Sequence, residues 1–149
     1  MFKLSPYDRL SRWKEFRLSI NNLTLQHALQ NTIELWAPCP FRPYYLDPNE
    51  PKHWPDPWQL ILENNYCDIA KSLGIVYTLY LSDHKSILQP EIRAYYNLSS
   101  KCIYHIAYLN QGKYVLNLVE DRVVNKEHIN QEFKLVRCYT ATDLQLEKY

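Results

Sequence analysis

The chain has 149 residues, of which 46% are hydrophobic and 14% aromatic, with thirteen Tyr and four Trp; this is material for one well-filled core and excludes a disordered chain. Seventeen Lys and Arg against sixteen Asp and Glu leave a formal charge of +1, and no basic run stands out, so a nucleic-acid partner held by a basic field has no support. No stretch approaches the roughly 18 unbroken apolar residues of a membrane span, and the segment Met1-Phe2-Lys3-Leu4-Ser5-Pro6-Tyr7-Asp8 lacks the apolar core of a secretion signal.

The first third reads as helical. Ser5-Pro6 fits an N-cap followed by proline at the first helical position, and Leu10, Trp13, Phe16 and Arg17 follow at helical spacing. A second helix is predicted after Asn21-Asn22, with Leu25, Ala28, Leu29, Ile33 and Trp36 on one stripe. From Pro38 to Pro57 lie seven of the nine prolines, mixed with Phe41, Tyr44, Tyr45 and Trp54. So many large rings predict an ordered loop, pinned by its aromatics and lying over something worth covering, and not a flexible linker.

Asp56-Pro57 resembles another N-cap and first helical position, opening a short helix through Trp58, Leu60, Ile61 and Leu62. After Asn64-Asn65, the positions Ile69, Leu73, Val76 and Tyr80 fit a helix with one buried face, although Gly74 and the β-branched pair Ile75-Val76 weaken its second half. Beyond Pro90 the pattern becomes that of strands: residues 93–97, 102–109, 114–119 and 134–139 are rich in Tyr, Val and Ile. Helices first and sheet second predict an α+β fold, with N-terminal helices packed on a C-terminal antiparallel sheet. A single domain is expected over 1–149: a helical part at 1–37, the proline and aromatic loop at 38–57, and at 58–149 a core that includes a cysteine-bearing helix and the sheet.

Four cysteines, Cys39, Cys67, Cys102 and Cys138, are widely spaced with no Cys-x-x-Cys. Zinc ligands usually come in close pairs, so neither a metal nor another cofactor is expected, and in a reducing compartment these are free thiols. Cys67 falls in the first turn of the predicted helix, where the positive end of the helix dipole stabilises a sulfur anion. The plain alternative is a space-filling buried thiol. His105 lies in Cys102-Ile103-Tyr104-His105-Ile106-Ala107-Tyr108-Leu109, where alternation puts it on the inward face with Ile103, Ala107 and Leu109. A satisfied core histidine is the alternative there.

Asn110-Gln111-Gly112 fits a three-residue hairpin loop closed by glycine in the left-handed conformation. Leu109 would then oppose Lys113, and His105 would face Asn117 on the same side of the sheet; a two-residue loop would pair His105 with Leu118 instead. An inward amide in Tyr114-Val115-Leu116-Asn117-Leu118-Val119 needs a partner, and an imidazole N–H is a suitable one, unless Asn117 sits on an edge strand facing water. A thiol, an imidazole and a carboxamide are the parts of a cysteine-nucleophile site.

These residues resemble the transglutaminase-like branch of the papain-type cysteine enzymes. In that family a cysteine begins a helix after a Trp- and Pro-containing approach, a histidine follows on a strand, and an Asp or Asn sits on the next strand. Trp54-Pro55-Asp56-Pro57-Trp58, Tyr66-Cys67-Asp68-Ile69-Ala70, Tyr104-His105 and Gly112-Lys113-Tyr114-Val115-Leu116-Asn117 stand in those places, so the resemblance covers about residues 54–124. It implies a papain/transglutaminase-like core and a small cysteine hydrolase or acyl-transferase acting on amide bonds. Cys67 would be the nucleophile, His105 the base and Asn117 its orienter, with the Cys67 backbone N–H in an oxyanion hole and Gln59 and Trp58 on its substrate and oxyanion side. Asp68 reads as a first-turn carboxylate favouring the helix dipole.

Asn65 and Tyr66 replace the family's Gly-x before cysteine, and Asn117 replaces its usual Asp. Small phage-encoded proteins often look like this family, which sets a second expectation: a non-catalytic virion or assembly subunit on a degenerate form of the fold. A third is a binding module using the aromatic loop from Phe41 to Trp58. The expected partners are a protein or peptide substrate or neighbouring subunits of a particle, with no nucleic acid and no membrane. The expected location is cytoplasmic, in a host cell or virion if phage-encoded.

Overall fold

A computed structural model describes residues 1–149. Four α-helices pack on one face of a five-stranded antiparallel sheet, the predicted α+β layout: α1 (Pro6–Ile20), α2 (Leu25–Trp36), α3 (Pro57–Glu63) and α4 (Asp68–Tyr80), then β1 (Glu91–Asn97), β2 (Ile103–Leu109), β3 (Tyr114–Val119), β4 (Arg122–Val124) and β5 (Phe133–Tyr139), in the spatial order β4-β3-β2-β1-β5. No helix is long and apolar enough to cross a membrane.

The caps form where local chemistry asks for them. Ser5 accepts the Asp8 N–H ahead of Pro6, and Asp56 accepts the Gln59 N–H at 2.7 Å ahead of Pro57. The cap of α2 is Thr24 and not the Asn pair, because its hydroxyl reaches the His27 N–H. Asn64, in the left-handed region at φ 54°, ends α3 and turns the chain towards Cys67.

α4 is the central helix, and it runs unbroken through Gly74. A Cβ at Gly74 would collide with the ring of Trp36, so the glycine permits the close crossing of α2 and α4. Trp13 on α1 and Trp36 on α2 each donate their indole N–H to Thr78 Oγ1 on α4, both at 2.9 Å, which satisfies the polar edges of two fully buried rings. Arg9 is buried too. Its guanidinium donates to the carbonyls of Leu4, Ile61 and Leu62, so its charge meets the negative end of α3.

Strand alternation sorts the sheet into two faces. Ile92, Ala107, Leu109 and Leu116 join the helices in the main core, whereas Tyr95, Ile106, Tyr108 and Val115 form a second cluster on the outer face, flanked by Ile129 and Phe133. The helix-facing alternation of β2 is therefore the one that carries His105.

The hairpin differs from expectation. Leu109 pairs with Tyr114, Tyr108 with Val115 and Ala107 with Leu116, so residues 110–113 form a four-residue loop, and Asn110, Gln111 and Gly112 all have positive φ. Continued, this register would set His105 against Leu118 and turn Asn117 away. It is not continued, because Asn117 itself takes φ 67° and the pairing of β3 with β4 shifts register between Val115 and Val119. Asparagine tolerates that conformation better than most residues, and the resulting bulge swings its amide back towards α4.

Candidate active site

Cys67 is the N-cap residue of α4, with extended backbone (φ −80°, ψ 178°) and no capping hydrogen bond from its side chain. The sulfur is therefore not consumed in holding the helix. The residue is 7% exposed and lies between two cavities. The larger, about 570 Å³, is bounded by the Phe41–Pro48 part of the proline loop, by Ile69, and by Cys102, Ile103 and His105 of the sheet. The smaller, about 200 Å³, is bounded by Cys39, Tyr66, Lys71 and Asn117 among others.

The predicted loop thus does cover something. It is held against the segment that carries Cys67 by the Arg42 N–H donating to the Tyr66 carbonyl at 2.9 Å, within a parallel bridge between Phe41 and Tyr66. Trp54 anchors its far end, packed at a tilt against Tyr139 with ring centroids 4.8 Å apart and its indole N–H on the Asp47 carbonyl. Tyr66 is buried, edge-on to Trp36 and Phe2, so its ring packs into the core.

His105 brings an imidazole to the wall of the larger cavity with its side chain 13% exposed. The carboxylate of Asp68, the residue after the cysteine, holds it. Oδ2 accepts the His105 backbone N–H at 2.6 Å and lies 3.4 Å from ring Nδ1. That ring contact is close enough for electrostatic attraction but not aligned as a hydrogen bond, and Nδ1 has no other partner. The ring makes no hydrogen bond through Nε2 either, and Nε2 is not sealed in the interior.

Asn117 does not touch the ring, contrary to the predicted imidazole–amide pair. Its Nδ2 instead lies 3.0 Å from each of three acceptors: Asp68 Oδ1, Ser72 Oγ and the His105 carbonyl. Ser72 donates in turn to the same His105 carbonyl at 2.7 Å. The amide therefore ties the first turn of α4 to β2. The residue that approaches the imidazole is Asp68, which sequence reading assigned to the helix dipole.

Gln59 and Trp58 lie away from the thiol. Gln59 Nε2 donates to Glu63 at 2.7 Å, and the residue lines a separate cavity with Trp54, Tyr77 and Tyr149. Trp58 is 43% exposed, edge-on to Tyr149 at 5.5 Å and beside Leu10 and Trp13. Both stand in the first turn of α3, and the chain reaches Cys67 only after that helix has run its length and reversed at Asn64. The other cysteines lie in other settings. Burial pushes the Cys39 thiol up to about 11, and burial followed by the Glu91 carboxylate raises Cys138. Cys102 is exposed on the rim of the larger cavity.

The sequence matches no protein-family model, and the search of curated proteins finds no match. The fold does have solved counterparts. The calcium-bound form of LapG from Legionella pneumophila superposes with a TM-score of 0.72 at 13% identity, over 93% of this chain and 77% of LapG. Its EGTA-treated form gives 0.70 at 13% identity, over 91% and 74%. These neighbours lend no support to a phage origin. Calcium takes six to eight oxygen ligands, several of them carboxylate, and in this chain no three His, Cys, Asp or Glu side chains come together to hold a metal ion. The chain has an α+β, transglutaminase-like fold.

Proposed function

We propose that this protein is a small cysteine-nucleophile amide hydrolase or acyl-transferase. The observation that carries the reading is the meeting of Cys67, His105 and Asp68 at one cavity, with the thiol free of any capping role and the carboxylate, anchored on the His105 backbone N–H, 3.4 Å from ring Nδ1. His105 takes the thiol proton as Sγ bonds to the substrate carbonyl carbon, and the carbon–nitrogen bond then breaks as His105 returns the proton to the departing amine. Water, or an acceptor amine, releases the thioester. Asp68 orients the ring and stabilises its charge, and Asn117 acts one step back by holding Asp68. The Cys67 backbone N–H, which donates to no acceptor in the protein, supplies an oxyanion donor at the start of α4.

Two observations favour the second reading, a silent structural subunit on the same fold: neither ring nitrogen of His105 is engaged in a hydrogen bond, and Cys67 is almost covered. Iodoacetamide labelling near pH 6 separates the two. An active site alkylates at Cys67 while Cys39, Cys102 and Cys138 stay largely unmodified, and the folded His105→Ala variant loses that selectivity. Equal labelling of all four thiols, or none before denaturant is added, assigns the protein to the structural reading.

A further inference from the structure

The two cavities at Cys67 differ in chemistry, and they share Phe41, Cys67 and Asp68 as a common wall. A chain whose carbonyl sits at the sulfur must therefore send its flanking residues into unlike surroundings. The larger lobe is apolar, lined by Pro43, Tyr44, Leu46, Ile69 and Ile103, and at about 570 Å³ it has room for an aromatic or large aliphatic side chain. Ile103 and Phe41 are 50% and 73% exposed, large apolar surfaces left open in the lining of this lobe.

The smaller lobe holds Lys71 on α4, one turn beyond Cys67 and on the same side as Asn117. Lys71 forms no ion pair with any carboxylate of the protein and no side-chain hydrogen bond. The Asp68 carboxylate borders the same lobe but is already engaged by the His105 backbone N–H and the Asn117 amide, which leaves Lys71 as the lobe's unpaired charge. An unpaired cation in a half-enclosed recess is complementary to an anionic group arriving with a ligand.

We infer that the cleft binds a protein segment with a bulky apolar side chain in the Phe41–Ile103 lobe and a carboxylate side chain against Lys71, on opposite sides of the bond presented to Cys67. The inference names a substrate class for the hydrolase reading and rests on it. The segment lies across Cys67 and Asp68, with Phe41 as the ridge between its two halves.

Binding and cleavage are measured separately so that the two ideas can fail independently. Fluorescein-labelled octapeptides carry Phe and Asp on either side of a central Gly-Gly, in both orders, and their anisotropy is followed with the Cys67→Ala protein. For one order, replacing Asp by Lys, or Phe by Ser, is expected to weaken binding by about tenfold or more, the scale of one well-placed contact. Lys71→Glu should reverse the preference between Asp and Lys, Lys71→Met should abolish it, and Ile103→Asp should remove the preference for Phe, each in protein with an unchanged circular dichroism spectrum. No binding by any peptide, or binding indifferent to charge in both Cys67→Ala and its Lys71→Glu derivative, overturns the inference. Preferential binding with no cleavage and no acyl-enzyme in the unsubstituted protein leaves the cleft's selectivity standing and retires the hydrolase; cleavage without preference does the opposite.

Discussion

Asp68 grips His105 at two points, accepting its backbone N–H at 2.6 Å while standing 3.4 Å from its Nδ1. In the proposed mechanism the carboxylate directly after Cys67 takes the part that the sequence pattern assigned to a group on the next strand. Asp68→Asn keeps the shape but removes the charge that stabilises an imidazolium, so amide turnover should fall by about 10²–10⁴-fold with little loss of fold. Asp68→Ala should in addition leave the His105 N–H without an acceptor, costing about 1–3 kcal/mol of stability. Turnover rates and urea midpoints of the two variants check this, and a fully active Asp68→Asn protein would remove Asp68 from the mechanism.

Asn117 combines a left-handed backbone with three polar contacts, and two substitutions separate these roles. Asn117→Gly keeps the bulge and loses the amide; Asn117→Ala loses both. Alanine should therefore be the less stable by about 1 kcal/mol, the usual penalty for forcing a Cβ into that region, and both should lower kcat with KM nearly unchanged if the amide positions Asp68. Asn117→Asp sets a second carboxylate against Asp68 and should be the least active of the three. Equal urea midpoints for Gly and Ala would show that the bulge relaxes.

What was legible in the sequence was what depends on near neighbours. Ser5-Pro6 and Asp56-Pro57 start helices because a short oxygen side chain and a fixed φ act within one turn, and the inward side of His105 follows from the two-residue period of a strand. The placement of Asn117 near Asp68 and not the ring was not legible, because two departures from regular geometry act together. The loop is one residue longer than expected, which would carry the amide to the wrong face, and the bulge at Asn117 returns it. β4, at three residues, is too short to show alternation. Asp68 had a visible signal in its position after Cys67, but its contact with His105 depends on how far α4 stands from β2.

Gly74 tests the close crossing of α2 and α4. In an exposed helix, Gly→Ala would stabilise by up to about 1 kcal/mol. Here the added methyl meets the Trp36 ring, and overpacking of a filled core costs about 1–3 kcal/mol. Gly74→Ala should thus be destabilised by about 1–2 kcal/mol, and the double variant with Trp36→Phe should show a smaller penalty relative to Trp36→Phe alone. Chemical denaturation of the four proteins measures the coupling; a more stable Gly74→Ala would mean that the ring yields freely.

Stability should fall on the alkaline side, and the sign follows from burial. The Cys39 thiol is raised from 9.0 to about 11 by desolvation, and the Tyr66 and Tyr77 phenols are raised by the same cause. Each holds its proton more tightly in the folded chain than in the unfolded one, so the unfolded state loses protons first. The stability linked to Cys39 is complete below about pH 9 and is lost as pH rises towards and through 11. The urea midpoint should hold steady from pH 7 to 9 and decline by pH 10.5, with a shallower decline for Cys39→Val, which keeps an apolar group but cannot ionise. A midpoint that stays flat to pH 10.5, or a Cys39→Val profile parallel to the parent, would show that the thiol is not the group being titrated.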